Sequence, residues 1–209
     1  MTLPDVTTKK IVNMDKDRKF TLILASASPR RRQLLAQVGL PFEVIAPTIA
    51  EPDEATSHLT PAQQAEALAY FKARAVWDDH SDRWVLGADT IVAVGERILG
   101  KPDDQLEARS MLETLSGTRH EVISGVALLG PNYWRRIASE TTFVTMRKMT
   151  PREIDDYIAS GEWLGKAGAY AIQETADRFI EKVEGSFTNV VGLPMELVHR
   201  LIEEARENG

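Results

Sequence analysis

The feature that most constrains this chain is a strand that runs straight into a capped helix between Thr21 and Gly39. Thr21 to Ala25 is a short apolar run, Ser26 and Ser28 are N-cap residues, and Pro29 suits the first helical position, where its missing N–H would lack a partner anyway. Gln33 to Val38 continues the helix and Gly39 is placed to end it. The junction leaves unpaired backbone N–H groups and the positive end of a helix dipole just beyond the strand. Arg30, Arg31 and Arg32 add guanidinium forks that match phosphate oxygens. From these residues alone the segment is either an anion site or a capped surface helix with a solvated basic patch.

Strand and helix patterns alternate along the rest of the chain, which predicts an α/β fold: a mixed sheet with flanking helices. Phe42 to Ala46 reads as a strand, followed by a polar loop to Thr60. Pro61 opens a helix to about Trp77, with Ala65, Leu68, Ala69, Lys72, Ala73 and Val76 at helical spacing. Trp84 to Val94, the most apolar segment, is one bent strand or a strand pair; Gly95 to Arg97 is a turn, and Ile98 and Leu99 begin a short strand. A helix over Gln105 to Leu115, strands over His120 to Leu129 and Arg135 to Met146, and a helix from Pro151 to Ala159 follow. Thr150 and Glu153 form a capping box for the last of these. Five glycines, at 161, 165, 168, 185 and 192, punctuate the chain before a final helix from Pro194 to about Glu207. With no internal repeat and no low-complexity linker, residues 18–209 read as one α/β domain with a cleft, and residues 1–17 as a flexible N-terminal tail.

Composition limits the partners. Thirty-one acidic against 25 basic side chains give a net charge of −6, which argues against a dedicated nucleic-acid binder and requires any anion site to be local. The absence of cysteine excludes disulfides, thiolate catalysis and Cys-based metal sites. No stretch has transmembrane length and the N-terminus lacks a signal-peptide core, so a soluble, cytoplasmic protein with no membrane partner is expected.

Two motifs are decoys. Gly95-Glu96-Arg97-Ile98-Leu99-Gly100-Lys101-Pro102 nearly fits a Walker phosphate loop, but Pro102 stands where a magnesium-ligating hydroxyl is required and biases Lys101 away from helical angles. His120-Glu121 would need a second His at position 124, which is Ser, and the segment alternates like a strand. Other charged residues are more informative. Asp89 lies inside the most hydrophobic run, where a lone carboxylate costs several kcal/mol, so it caps a turn, pairs with a lysine, binds a metal or serves a reaction. Lys101 sits at a rigid Gly-Pro bend, and Lys72 by spacing alone falls on a solvated helix face. Glu51, Asp53 and Glu54 supply hard carboxylates of the kind that suit Mg2+ or Mn2+.

Six blocks in order carry a family resemblance. They are Ser26-Ala27-Ser28-Pro29-Arg30-Arg31; Gly87-Ala88-Asp89-Thr90; Gly100-Lys101-Pro102; Leu115-Ser116-Gly117 with His120 and Val122; Lys166-Ala167-Gly168-Ala169-Tyr170 with Ile172-Gln173; and Gly185-Ser186 with Asn189 to Pro194. Together they resemble the Maf family of nucleoside triphosphate pyrophosphatases. The resemblance implies two lobes around a deep cleft, a homodimer, and metal-assisted hydrolysis of a nucleoside triphosphate to the monophosphate and pyrophosphate, clearing unwanted nucleotides from the pool. It implies that Ser26, Arg30 and Arg31 hold the triphosphate, that Lys72 and Lys101 neutralise it, and that Asp89 accepts the proton of the attacking water or ligates the divalent metal (Mg2+ or Mn2+). Glu51 would be a second metal carboxylate, Gln173 would help read the base, and Arg32 would have no part. The block at Lys166 resembles the dTTP/UTP branch more than the 7-methyl-GTP branch. Trp163-Leu164-Gly165 and Glu174-Thr175 depart from the usual pattern on either side of it, so modified nucleotides form the wider expected class. The same resemblance carries an alternative, a non-catalytic nucleotide-binding regulator of cell-division septum formation.

Overall fold

Ser28 accepts a hydrogen bond from the Arg31 backbone N–H at 3.4 Å and starts helix α1 (Pro29–Ala36) three residues after strand β1 (Leu22–Ala25) ends. The structure is a computed structural model that describes residues 20–37, 39–48, 58–173 and 175–208. The expected tail over residues 1–17, and Glu51, lie outside the described residues. The chain continues through β2 (Phe42–Val44), α2 (Pro61–Trp77), β3 (Trp84–Val94), β4 (Arg97–Leu99), α3 (Gln105–Leu115), β5 (Arg119–Leu129), β6 (Arg135–Met146), α4 (Pro151–Ser160), β7 (Ile180–Glu184), α5 (Phe187–Val191) and α6 (Met195–Asn208). Thr60 with Gln63 and Thr150 with Glu153 form reciprocal capping boxes, each followed by Pro at the helix start, so α2 and α4 begin where local chemistry dictates.

The strands form one mixed sheet in the order β2-β1-β3-β5-β6-β7, with β4 paired to β3. β1 runs parallel to β2 and β3, and the remaining pairs are antiparallel. Trp84–Val94 is a single strand rather than a strand pair. β1 pairs with it only as far as Ala25↔Gly87, and β4 joins it only from Val92↔Leu99. Between these limits, from Ala88 to Ile91, β3 has β5 on one side and neither β1 nor β4 on the other. The chain leaves β1 toward β2 on one side and returns through α2 to β3 on the other, so this gap lies at the carboxyl end of β1 where the strand order reverses, a place where α/β sheets open a crevice.

Helices cover both faces of the sheet. Leu22, Leu24, Leu86 and Leu128 face α6 residues Val198, Leu201 and Ile202, while Val92, Val122 and Val144 form a second cluster with α3 and α4. On the opposite face Ile23, Val85, Ala127 and Leu129 pack under α2. There Ala65, Ala69 and Ala73 make a small-residue stripe against two glycines. A Cβ on Gly87 would lie 2.4 Å from the Ala69 carbonyl oxygen, and one on Gly125 2.2 Å from that of Ala65. The helix backbone therefore rests directly on β3 and β5.

Three elements depart from the sequence expectation. β7 and α5 fall in the glycine-punctuated stretch where no regular element was expected, and the strand over Phe42 stops at Val44. β7 is an edge strand whose residues are all exposed or half-buried, so it carries little hydrophobic alternation, and α5 has only five residues.

His120 on β5 is 1% exposed and its Nε2 lies 2.7 Å from the Tyr170 hydroxyl. Nδ1 has no hydrogen-bond partner. A neutral ring with Nε2–H donating to Tyr170 leaves only a bare lone pair at Nδ1, which costs less than a buried N–H without an acceptor. Burial pushes the imidazole down to about 4.

Adding a methyl at Gly125 must displace α2, so Gly125→Ala is expected to lose about 1–3 kcal/mol of unfolding free energy in urea titrations. Gly100→Ala, with open space at its Cβ, is expected to stay within about 0.5 kcal/mol. His120 is neutral in the folded and unfolded chains above its ordinary value of about 6.5, and only the unfolded chain protonates as pH falls toward 4. Unfolding free energy should therefore fall by about 3 kcal/mol more between pH 7 and pH 4 in the wild type than in His120→Gln.

Candidate active site

The close seating of α2 on Gly87 and Gly125 brings Lys72, beside Ala73 of the stripe, against β3. Lys72 Nζ forms a salt bridge with Asp89 Oδ1, and the two side chains are only 12% and 11% exposed. A buried carboxylate is tolerable here because its partner is in contact. The solvated face that helical spacing suggests for Lys72 is corrected by this packing. Asp89 itself lies in the gap between β1 and β4, where β3 has lost one neighbour.

A cavity of about 480 Å3 opens over that gap, within the size range of small-molecule sites. Ser26, Arg30, Arg31, Lys72, Asp89, Lys101 and Lys166 all line it. Residues from five separated stretches thus converge on one space, and among the described residues the lining holds five basic side chains and one carboxylate. On a protein of net charge −6 this is a strongly localised positive field. The lining also has an apolar wall, built from Val92, Val122, Tyr170, Ala171, Ile172 and Val190. Tyr170 is held by His120 from behind.

The basic residues are delivered by several elements. Arg30 and Arg31 come from the first turn of α1, and the loop before it is ordered by Ser26 Oγ accepting from the Ser28 N–H at 3.1 Å. Lys101 follows Gly100, whose carbonyl accepts from the Gly168 N–H at 3.0 Å. That bond ties the Lys101 bend to the loop carrying Lys166, two segments distant in sequence. Arg32 is exposed and does not line the cavity.

Two expected residues are not brought in. Gln173 is exposed and absent from the lining, although Ile172 before it is part of the wall. Glu51 falls outside the described residues. Among the described residues no cluster of three or more acidic or His side chains is arranged for a metal, and no helix is long and apolar enough to cross a membrane.

A polar network at the cavity joins Arg31 to Thr90, Ser124 and Asn189, and of these four the sequence assigns a role to Arg31 alone. Arg31 donates through Nε to the Gly192 carbonyl (2.8 Å), through Nη1 to the Ala88 carbonyl (2.8 Å) and through Nη2 to Thr90 Oγ1 (3.1 Å). Thr90 Oγ1 and Ser124 Oγ share a hydrogen bond at 2.8 Å, and Ser124 Oγ donates to the Asn189 carbonyl at 3.3 Å. The fully buried Asn189 donates from Nδ2 to the Val122 carbonyl and to Thr142 Oγ1, fastening α5 to β5 and β6. Ser124 sits within an apolar strand at a buried position, and a buried hydroxyl must find a partner. That was the available signal, but the partner's identity lies in the packing.

The sequence model for Maf-like proteins matches residues 21–205. A dTTP/UTP pyrophosphatase of Ruminiclostridium cellulolyticum is 46% identical over 187 residues, 89% of this chain and 96% of that protein. One of Syntrophotalea carbinolica is 49% identical over 193 residues, 90% of this chain and 87% of that protein. A solved HAM1 protein from Coxiella burnetii is similar at 18% identity and a TM-score of 0.46, over 88% of this chain and 99% of that one. With the family match spanning nearly the whole described chain and relatives close to half identical, this chain belongs to the Maf-like protein family.

Proposed function

We propose that this protein is a nucleoside triphosphate pyrophosphatase acting on dTTP and UTP, cleaving between the α and β phosphates to give the monophosphate and pyrophosphate. The observation that carries the reading is the pairing of one carboxylate with five basic side chains in a single cavity that also has an apolar wall. A pure phosphate binder gains nothing from a carboxylate facing its anionic ligand, whereas hydrolysis needs a group that orients and deprotonates water. The names of the relatives, dTTP/UTP pyrophosphatases aligned over nearly their full lengths, support the substrate class.

In this reading Ser26, Arg30, Lys101 and Lys166 surround the triphosphate, and the apolar wall takes the base. The water oxygen forms a bond to the α phosphorus while the bond from that phosphorus to the bridging oxygen breaks. Pyrophosphate departs with the bond's electrons, and the water's proton passes to the Asp89 carboxylate. Lys72 fixes one oxygen of that carboxylate, so the other is aimed rather than rotating. The cations stabilise the charge that accumulates on the departing pyrophosphate.

A divalent cation, Mg2+ or Mn2+, fits this donor set. Asp89 is a hard oxygen ligand, and such ions take one or two protein carboxylates and complete their shell with water and substrate phosphates. Bound there, the ion would supply charge neutralisation on the phosphates; Asp89 would hold it, with Glu51 as the second carboxylate. A homodimer in the cytoplasm is the proposed state of the enzyme.

Incubation with dTTP or UTP and Mg2+ is expected to release pyrophosphate and the monophosphate in equal amounts. Orthophosphate as the sole released product would contradict the proposal. Asp89→Asn should lower kcat by about 10³-fold while nucleotide still binds, read by calorimetry. Removing divalent ions with EDTA should abolish turnover, and adding back Mg2+ or Mn2+ should restore it; full activity in EDTA would refute the metal requirement.

A further inference from the structure

We infer that Arg31 is a positioning residue, which fastens the Asp89 segment of β3 in place, rather than a ligand of the triphosphate. The inference rests on the pyrophosphatase reading and reassigns one residue that the family resemblance gives to the phosphates. All three nitrogens of its guanidinium donate to protein acceptors: the Gly192 and Ala88 carbonyls, both at 2.8 Å, and Thr90 Oγ1 at 3.1 Å. Two of these acceptors are the residues on either side of Asp89. The planar fork that would grip two phosphate oxygens is occupied by a carbonyl and a hydroxyl of β3.

The position explains the need. β1 leaves β3 after Gly87 and β4 joins it only at Val92, so the stretch bearing Asp89 is held by a strand on one side alone. Arg31 reaches into that gap from α1 and supplies donors where a strand neighbour is missing. Through Thr90 and Ser124 the tether extends to Asn189 on α5, and through the Gly192 carbonyl to the turn that ends α5. Arg30 provides the contrast. Adjacent helical residues point about 100° apart, and Arg30 lines the same cavity with no hydrogen bond or ion pair to any described residue. Its guanidinium is the one of the pair offered to an anion.

The test compares Arg31→Gln, Arg30→Gln and Thr90→Val, using kcat and KM for dTTP, the Kd of the non-hydrolysable α,β-methylene analogue of dTTP, and the melting temperature. Arg31→Gln strands two buried carbonyls and should lower Tm by about 5 °C. It should reduce kcat by about 100-fold, the scale of a small misplacement of a reacting group, with Kd within about threefold of wild type. Arg30→Gln should weaken Kd by about tenfold or more at unchanged Tm. Thr90→Val preserves every charge and removes one acceptor, so it should lower kcat by about tenfold with Kd unchanged. Arg31→Gln weakening Kd as much as Arg30→Gln at wild-type Tm would overturn the inference. If Arg31→Gln does not fold, Thr90→Val decides, and wild-type kcat in that variant overturns it. A wild-type protein that turns over no nucleotide would refute the pyrophosphatase reading, while the Kd and Tm contrast between the two arginines would still decide which one meets the ligand.

Discussion

The site depends on an interruption in the sheet. β3 is long enough to pair with β1 at its start and β4 at its end, and the register leaves four residues between them with β5 as their strand neighbour. In a continuous sheet Asp89 would sit among apolar neighbours with no room for a ligand. At the interruption it borders open space while its backbone remains anchored through β5. The functional chemistry therefore sits where the hydrogen-bond ladder is weakest, and other elements compensate: α1 brings Arg31, and α5 and the turn that ends it bring the Asn189 and Gly192 carbonyls.

The second determinant is the distance between α2 and the sheet. Packing of helix on sheet ordinarily leaves room for a layer of side chains, but Ala65, Ala69 and Ala73 facing Gly87 and Gly125 remove most of that layer. A lysine on a helix seated this closely reaches a carboxylate on the strand beneath it. The resulting pair is a poor source of stability, because desolvating two charges offsets most of their attraction. Its value is in geometry: each charge prevents the other from being an unpaired buried ion, and both face a cavity whose other charges are positive.

That excess of positive charge is itself a cost in the empty protein, since like charges repel. It is sustained because the cations are spread over α1, α2 and two loops, and the Lys101 and Lys166 loops are joined by the Gly168 to Gly100 hydrogen bond. The cavity is organised before any anion arrives, and a polyanion entering it meets charges that need little rearrangement.

Much of the fold was legible in the chain because local chemistry specifies it. Ser28-Pro29 and Thr60-Pro61 start helices wherever they are placed, and the Trp84 to Val94 run forms a strand by its apolarity. β7 and α5 were not legible, because an edge strand and a five-residue helix draw their stability from neighbours rather than from their own pattern. The same division holds at the site. Asp89 stood out as a charge in an apolar run, and Arg30 as a cation at a helix start. Lys72 looked like a surface residue, since helical spacing records which side chains share a face but not what that face meets. The sequence by itself determined which residues could carry charge and which segments would be strands or helices. Only the tertiary structure decided that Lys72 would be buried against Asp89 and that adjacent arginines would point to different partners, because those outcomes depend on how closely two backbones can approach.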